Sequence, residues 1–135
     1  MILLGSGAIL TEVIRAAELL AAQDITAQVF SVTRWSELAR DGAACQQRAL
    51  AGESPPAQPF IARQLARSAG PIVAASDYVR AVPESVRAFL PPGRTCLTLG
   101  TDGFGRSDTR GALRAFFGVD AASIVRAARH QLQVS

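Results

Sequence analysis

The order strand, helix, strand at the head of the chain limits its fold more than any other feature. Ile2-Leu3-Leu4 is a short, uninterrupted apolar run that stops at Gly5-Ser6-Gly7, the pattern of a strand buried on both faces. Leu10, Val13, Ile14, Ala17, Leu20 and Ala21 then recur at helical spacing, with Glu12, Arg15 and Glu18 off that stripe. Ser6 or Gly7 is the expected cap of this helix, and Asp24 falls just beyond its end. Residues 27–33 carry Val29, Phe30 and Val32, a β-branched and aromatic run suited to a second strand. Two strands joined through a helix build a parallel sheet, because the crossover returns the chain to the same end.

The rest of the chain keeps that rhythm. Ser36 to Leu50 reads as a helix, and the Pro-, Gly- and Ser-rich stretch 51–59 as a loop. A helix from Phe60 is stopped by Gly70-Pro71, and Ile72-Val73-Ala74 supplies a third strand. Val79, Val82, Val86, Phe89 and Leu90 are helically spaced, with Pro83 starting a second helical piece at its first turn. Pro91-Pro92-Gly93 forces a turn before a fourth strand over 95–99. A glycine-rich loop, a helix capped by Asp108 and running to Phe117, and a last helix capped by Asp120 and running to Gln131 complete the pattern. The expectation is one domain over residues 1–135: three-layer α/β, a mainly parallel sheet flanked by helices.

Composition narrows the function classes. The net charge of +3 is carried by dispersed arginines interleaved with acids, and Trp35 and Tyr78 are the only aromatics beside six phenylalanines. Neither a basic stripe nor a stacking platform is present, so nucleic acid is not an expected partner. The chain contains no lysine, which excludes a P-loop lysine and Schiff-base chemistry. No window offers the ~18 apolar residues of a membrane span, and Met1-Ile2-Leu3-Leu4-Gly5 lacks the features of a secretory signal. The expected location is the cytoplasm, where Cys45 and Cys96 stay reduced.

Two loops are candidate sites. Gly5-Ser6-Gly7 is a strand-to-helix turn of the kind that holds phosphate, with Arg34 near the place of the acid in a dinucleotide fingerprint. The third glycine of that fingerprint is replaced by Leu10, and small residues also suit any tight strand–helix turn. The second loop runs from Gly100 to Arg110 and gathers Asp102, Phe104, Arg106, Asp108 and Arg110 at the carboxyl end of a strand, where open α/β sheets bind ligands. An exposed Phe104 in a glycine loop calls for a covering partner, whereas the acids could equally cap a helix and pair with the arginines. His130, the only histidine, sits on the polar end of the last helix and is read as an exposed residue. No catalytic residue and no metal ligand set is expected.

A series of ordered segments resembles a known family. Leu3-Leu4-Gly5-Ser6-Gly7-Ala8-Ile9-Leu10, Val29-Phe30-Ser31-Val32-Thr33, Glu37-Leu38-Ala39-Arg40-Asp41-Gly42 and Ala75-Ser76-Asp77-Tyr78 are similar to the C-terminal domain of the homodimeric-type pyruvate dehydrogenase decarboxylating component. So are Val119-Asp120-Ala121-Ala122-Ser123 and, most specifically, Leu99-Gly100-Thr101-Asp102-Gly103-Phe104-Gly105-Arg106-Ser107-Asp108. The resemblance implies a transketolase C-terminal-domain fold with one antiparallel edge strand. It implies a parent subunit that uses thiamine diphosphate and Mg²⁺ to decarboxylate pyruvate and passes the acetyl group to lipoyl on an acetyltransferase core. The family's metal–diphosphate motif is Gly-Asp-Gly followed by asparagine. Thr101-Asp102-Gly103 matches only part of it, and this chain has no asparagine. No counterpart of the activating glutamate is found either. The resemblance therefore implies an assembly domain that binds no cofactor itself. Its partners would be the preceding catalytic domains and a second subunit. A free-standing nucleotide- or phosphate-binding module and a pure protein-interaction domain are the rivals.

Overall fold

A computed structural model of the chain describes residues 1–101 and 118–134. The expected helix over 108–117 lies outside them, as do Asp102, Phe104, Arg106, Asp108 and Arg110. The described elements are β1 (Ile2–Gly5), α1 (Leu10–Ala21), β2 (Gln28–Ser31), α2 (Trp35–Leu50), α3 (Phe60–Leu65), β3 (Ile72–Ala75), α4 (Ala81–Glu84), β4 (Cys96–Leu99) and α5 (Ala121–Val134). The sheet order is β2-β1-β3-β4 and every pair is parallel.

The central strands β1 and β3 are buried at all four positions, which is why their sequences are apolar without alternation. Their side chains feed two cores. Leu3, Val73 and Ala75 pack with Val13, Ala16 and Leu20 of α1 and Ile124, Ala127 and Ala128 of α5. Ile2, Leu4, Ile72 and Ala74 point the other way, onto Trp35 of α2, Ile61 and Leu65 of α3, and Val86. Each Leu, Ile or Val removed from water there contributes roughly 1.5–3 kcal/mol, so the two cores on opposite faces dominate the stability of the three layers.

Several expectations shift. The antiparallel edge strand is not found among the described residues: both edges, β2 and β4, run parallel, because each is reached from its neighbour by a right-sized crossover rather than a hairpin. Ser6 does not cap α1. A 3₁₀ turn over Gly7–Ile9 intervenes, Ile9 occupies the cap position, and the Ser6 hydroxyl is engaged by Trp35 instead. The buried face of α1 is Val13, Ala16 and Leu20, while Ile14 is 45% exposed, because close packing of α1 on α5 selects the small Ala16 over a larger neighbour. The helical spacing over 79–90 resolves into the four-residue α4 and a 3₁₀ turn at Arg87–Phe89, with Pro83 inside the first turn, where its missing N–H costs nothing. Asp120 caps α5 as expected, its Oδ1 accepting from the Ser123 amide at 3.0 Å and from the Ser123 hydroxyl. Burial opposes ionisation of Asp120, but those bonds hold its carboxyl below the usual range.

Candidate functional site at the strand ends

The chain leaves β1 for β2 on one side and returns to β3 on the other. That reversal creates a switch point between β1 and β3, where open parallel sheets form their ligand crevice. Gly5 and Ala75 are level across the β1–β3 pair, so Ser6-Gly7 and Ser76-Asp77 emerge side by side.

Glycine is required at three points around this crevice. A Cβ on Gly5 would lie 2.7 Å from Val13 Cγ2, so α1 could not approach β1. Gly7 has φ +57° and faces the Asp77 carboxylate, whose oxygens would stand 3.2 and 3.3 Å from an added Cβ. Gly100 is buried, and a Cβ there would meet the Arg80 amide nitrogen at 2.6 Å and the Tyr78 carbonyl oxygen at 2.7 Å.

Hydrogen bonds stitch the three loops together. The Ser76 amide donates to the Leu99 carbonyl at 3.0 Å, and the fully buried Ser76 hydroxyl oxygen accepts from the Tyr78 amide at 3.0 Å. Thr101 answers from just beyond β4, its amide donating to the Tyr78 carbonyl at 2.9 Å and its hydroxyl to the Asp77 carbonyl at 2.8 Å. On the other flank Trp35 Nε1 donates to Ser6 Oγ at 2.9 Å. The crevice is thus a fixed backbone scaffold, and Tyr78, 60% exposed, forms its apolar rim with Val79.

The structure brings the Gly5-Ser6-Gly7 turn and Gly100-Thr101, the described start of the second loop, to the same end of the sheet around Ser76-Asp77-Tyr78, a segment not expected to form a site. Its sequence signals were its place after a strand and the family resemblance of Ala75-Ser76-Asp77-Tyr78. Arg34 parts company with the glycine turn. It lines a cavity with Leu4, Phe30 and Val32 on the α2–α3 face, whereas Gly7 leads into α1 on the opposite face. A phosphate at Gly7 would meet the Asp77 carboxylate without Arg34 to offset it. His130 is exposed on α5, and among the described residues no three His, Cys, Asp or Glu side chains converge to hold a metal ion. Cys45 is buried and Cys96 half-buried, both as free thiols, and burial pushes the Cys96 thiol up to about 11, far from a reactive thiolate. No helix among the described residues is long and apolar enough to cross a membrane.

A parallel three-layer sheet with a glycine-lined crevice at its strand ends defines a class, and comparison with known proteins supplies which one. Residues 1–120 match the family described as transketolase-like TK C-terminal domain, and the chain belongs to that family. Within it, the chain is similar to pyruvate dehydrogenase E1 components. It is 49% identical over 125 residues to that of Mycolicibacterium smegmatis, covering 91% of this chain and 13% of the relative. The Mycobacterium tuberculosis protein gives the same figures. The Escherichia coli K12 component is 45% identical over 132 residues, 96% of this chain and 14% of the relative. The chain therefore spans about one-seventh of the length of these relatives. A split-gene transketolase, an inactive β4 tetramer, shares the fold with a TM-score of 0.64 at 20% identity, covering 98% of this chain and 39% of that one.

Proposed function

We propose that the chain is the C-terminal assembly domain of a cytoplasmic pyruvate dehydrogenase E1 component, catalytically silent by itself. The observation that carries this reading is 41–49% identity to E1 components along nearly the whole chain, against only 13–15% of their length. In such a subunit the domain would pack against the preceding catalytic domains and the second subunit of a homodimer, and would reach the acetyltransferase core at one remove. The parent reaction decarboxylates pyruvate with thiamine diphosphate and Mg²⁺ and passes acetyl to lipoyl.

The residues of this chain do not fit that cofactor. There is no asparagine to complete a metal–diphosphate motif, and the glycine turn after β1 faces the Asp77 carboxylate. No step of the reaction is routed through the chain. Its contribution is geometric: the Tyr78–Val79 rim, the Gly7 turn and the loop carrying Asp102, Phe104, Arg106, Asp108 and Arg110 serve as contacts. Burial of such apolar rims is the usual driving force for interdomain docking.

A chimera tests the proposal. Replacing the corresponding domain of the M. smegmatis E1 component with this chain is expected to preserve dimerisation and pyruvate turnover, and Phe104→Ala with Tyr78→Ala to weaken dimerisation. A chimera that folds but neither dimerises nor turns over pyruvate contradicts the assembly role. Pyruvate turnover by the isolated chain with thiamine diphosphate and Mg²⁺ contradicts its silence.

A further inference from the structure

We infer that the cavity between β2, α2 and α3 binds a small amphipathic monocarboxylate, a ligand function separate from the assembly role. The cavity encloses about 390 Å³, near the lower end of the range for small-molecule sites. Its apolar floor is Leu4, Phe30 and Val32 from the sheet side, and its far wall is Phe60, Ile61 and Leu65 of α3. That wall is tied in place, because Asp41 on α2 accepts a hydrogen bond from the Phe60 amide at 2.7 Å. A wall held by a contact within the fold lowers the ordering cost of binding.

The polar part of the lining is Ser31, Thr33, Arg34, Glu37 and Gln64. Arg34 lines the cavity, and its guanidinium forms no hydrogen bond or ion pair with any described residue. Glu37, which also lines the cavity, pairs with Arg40 at 2.9 Å, and that pair offsets part of its repulsion of an anionic ligand. The hydroxyls of Ser31 and Thr33 and the amide of Gln64 add neutral hydrogen-bonding groups. A largely apolar cavity with one guanidinium in its lining matches a carboxylate on a hydrocarbon or aryl body, since the Arg fork pairs with both carboxylate oxygens. A phosphate, with two charges and a tightly held hydration shell, suits neither the chamber's size nor its lining.

Heteronuclear NMR titration of the 135-residue chain with octanoate, octanamide and inorganic phosphate tests this. Saturable octanoate shifts confined to the cavity residues are expected, with no response to phosphate. Arg34→Gln should weaken octanoate about tenfold while changing octanamide less than about twofold, the signature of one lost charge-assisted pair. Leu38→Trp, directed into the chamber, should abolish both. Should that variant lose its fold, Arg34→Gln alone decides the matter. No saturable shift, shifts centred elsewhere, or octanoate affinity unchanged in Arg34→Gln would overturn the inference.

Discussion

Trp35 donates its indole N–H to the Ser6 hydroxyl oxygen at 2.9 Å, and both residues are buried. Trp35 is the first residue of α2 and Ser6 the first after β1, so one bond fastens a helix start to the strand-end turn. Ser6→Ala would leave the indole N–H buried without a partner, at a cost of about 1–3 kcal/mol. Trp35→Phe would remove the donor and open a small void, with a loss of roughly 2–3 kcal/mol. Urea unfolding of the two single variants and the double variant should show less than additive losses, because they break the same bond.

Gly42 lies in the middle of α2 against the Phe89 ring. A Cβ at that position would fall 2.2 Å from Phe89 Cγ. Alanine favours a helix interior over glycine by about 1 kcal/mol, but the clash is larger. Gly42→Ala is expected to lower stability by roughly 1–2 kcal/mol, and Phe89→Leu in the same chain to recover part of it, as read by thermal unfolding.

Glu84 joins α4 to β4. Its carboxylate accepts from Arg87 Nε and Nη2, each at 2.7 Å, and from the Thr98 hydroxyl at 2.5 Å. The Arg87 bonds, then the Thr98 bond, hold its pKa at about 2 against an ordinary 4.5. A depressed carboxyl stabilises the fold above its unfolded pKa, and that share is lost as pH falls from about 4.5 towards 2. Glu84 is one-third exposed, so solvent screening reduces the effect to about 1 kcal/mol. Glu84→Gln should flatten the stability profile in that window and leave the slope above pH 5 unchanged, which denaturant titrations across pH would read.

Arg94 clasps the turn between α3 and β3. Its Nε donates to the Gly70 carbonyl, and its Nη1 to the Leu65 and Ser68 carbonyls at 3.3 Å each. Arg94→Lys keeps the charge but not the fork. The expected loss is about 1–2 kcal/mol, with hydrogen exchange rising first at the amides of residues 65–70.

The strands were legible because burial on both faces writes an uninterrupted apolar run, as in Ile2-Leu3-Leu4 and Ile72-Val73-Ala74. The Asp120 cap was legible because capping is local chemistry. The buried stripe of α1 was only partly so. Hydropathy favours Ile14, but contact with α5 demands a small residue, and Ala16 takes the place. Asp77 was hidden for a different reason. Its approach to Gly7 depends on β3 lying beside β1, and strand order is a non-local fact that periodicity does not carry. The detour of the Ser6 hydroxyl to Trp35, distant in sequence, escaped for the same reason.

Because all four described strands run the same way, the sheet has a polarity like that of an arrow. Met1 stands at its tail, where its ammonium donates to the Thr26 carbonyl at 3.3 Å, and the crevice opens at its head. Four strand residues at about 3.3 Å each separate the two by roughly 13 Å. A fluorophore, tether or further polypeptide joined at Met1 therefore enters from behind the crevice, and surface immobilisation through that end leaves the Tyr78 rim facing the solution.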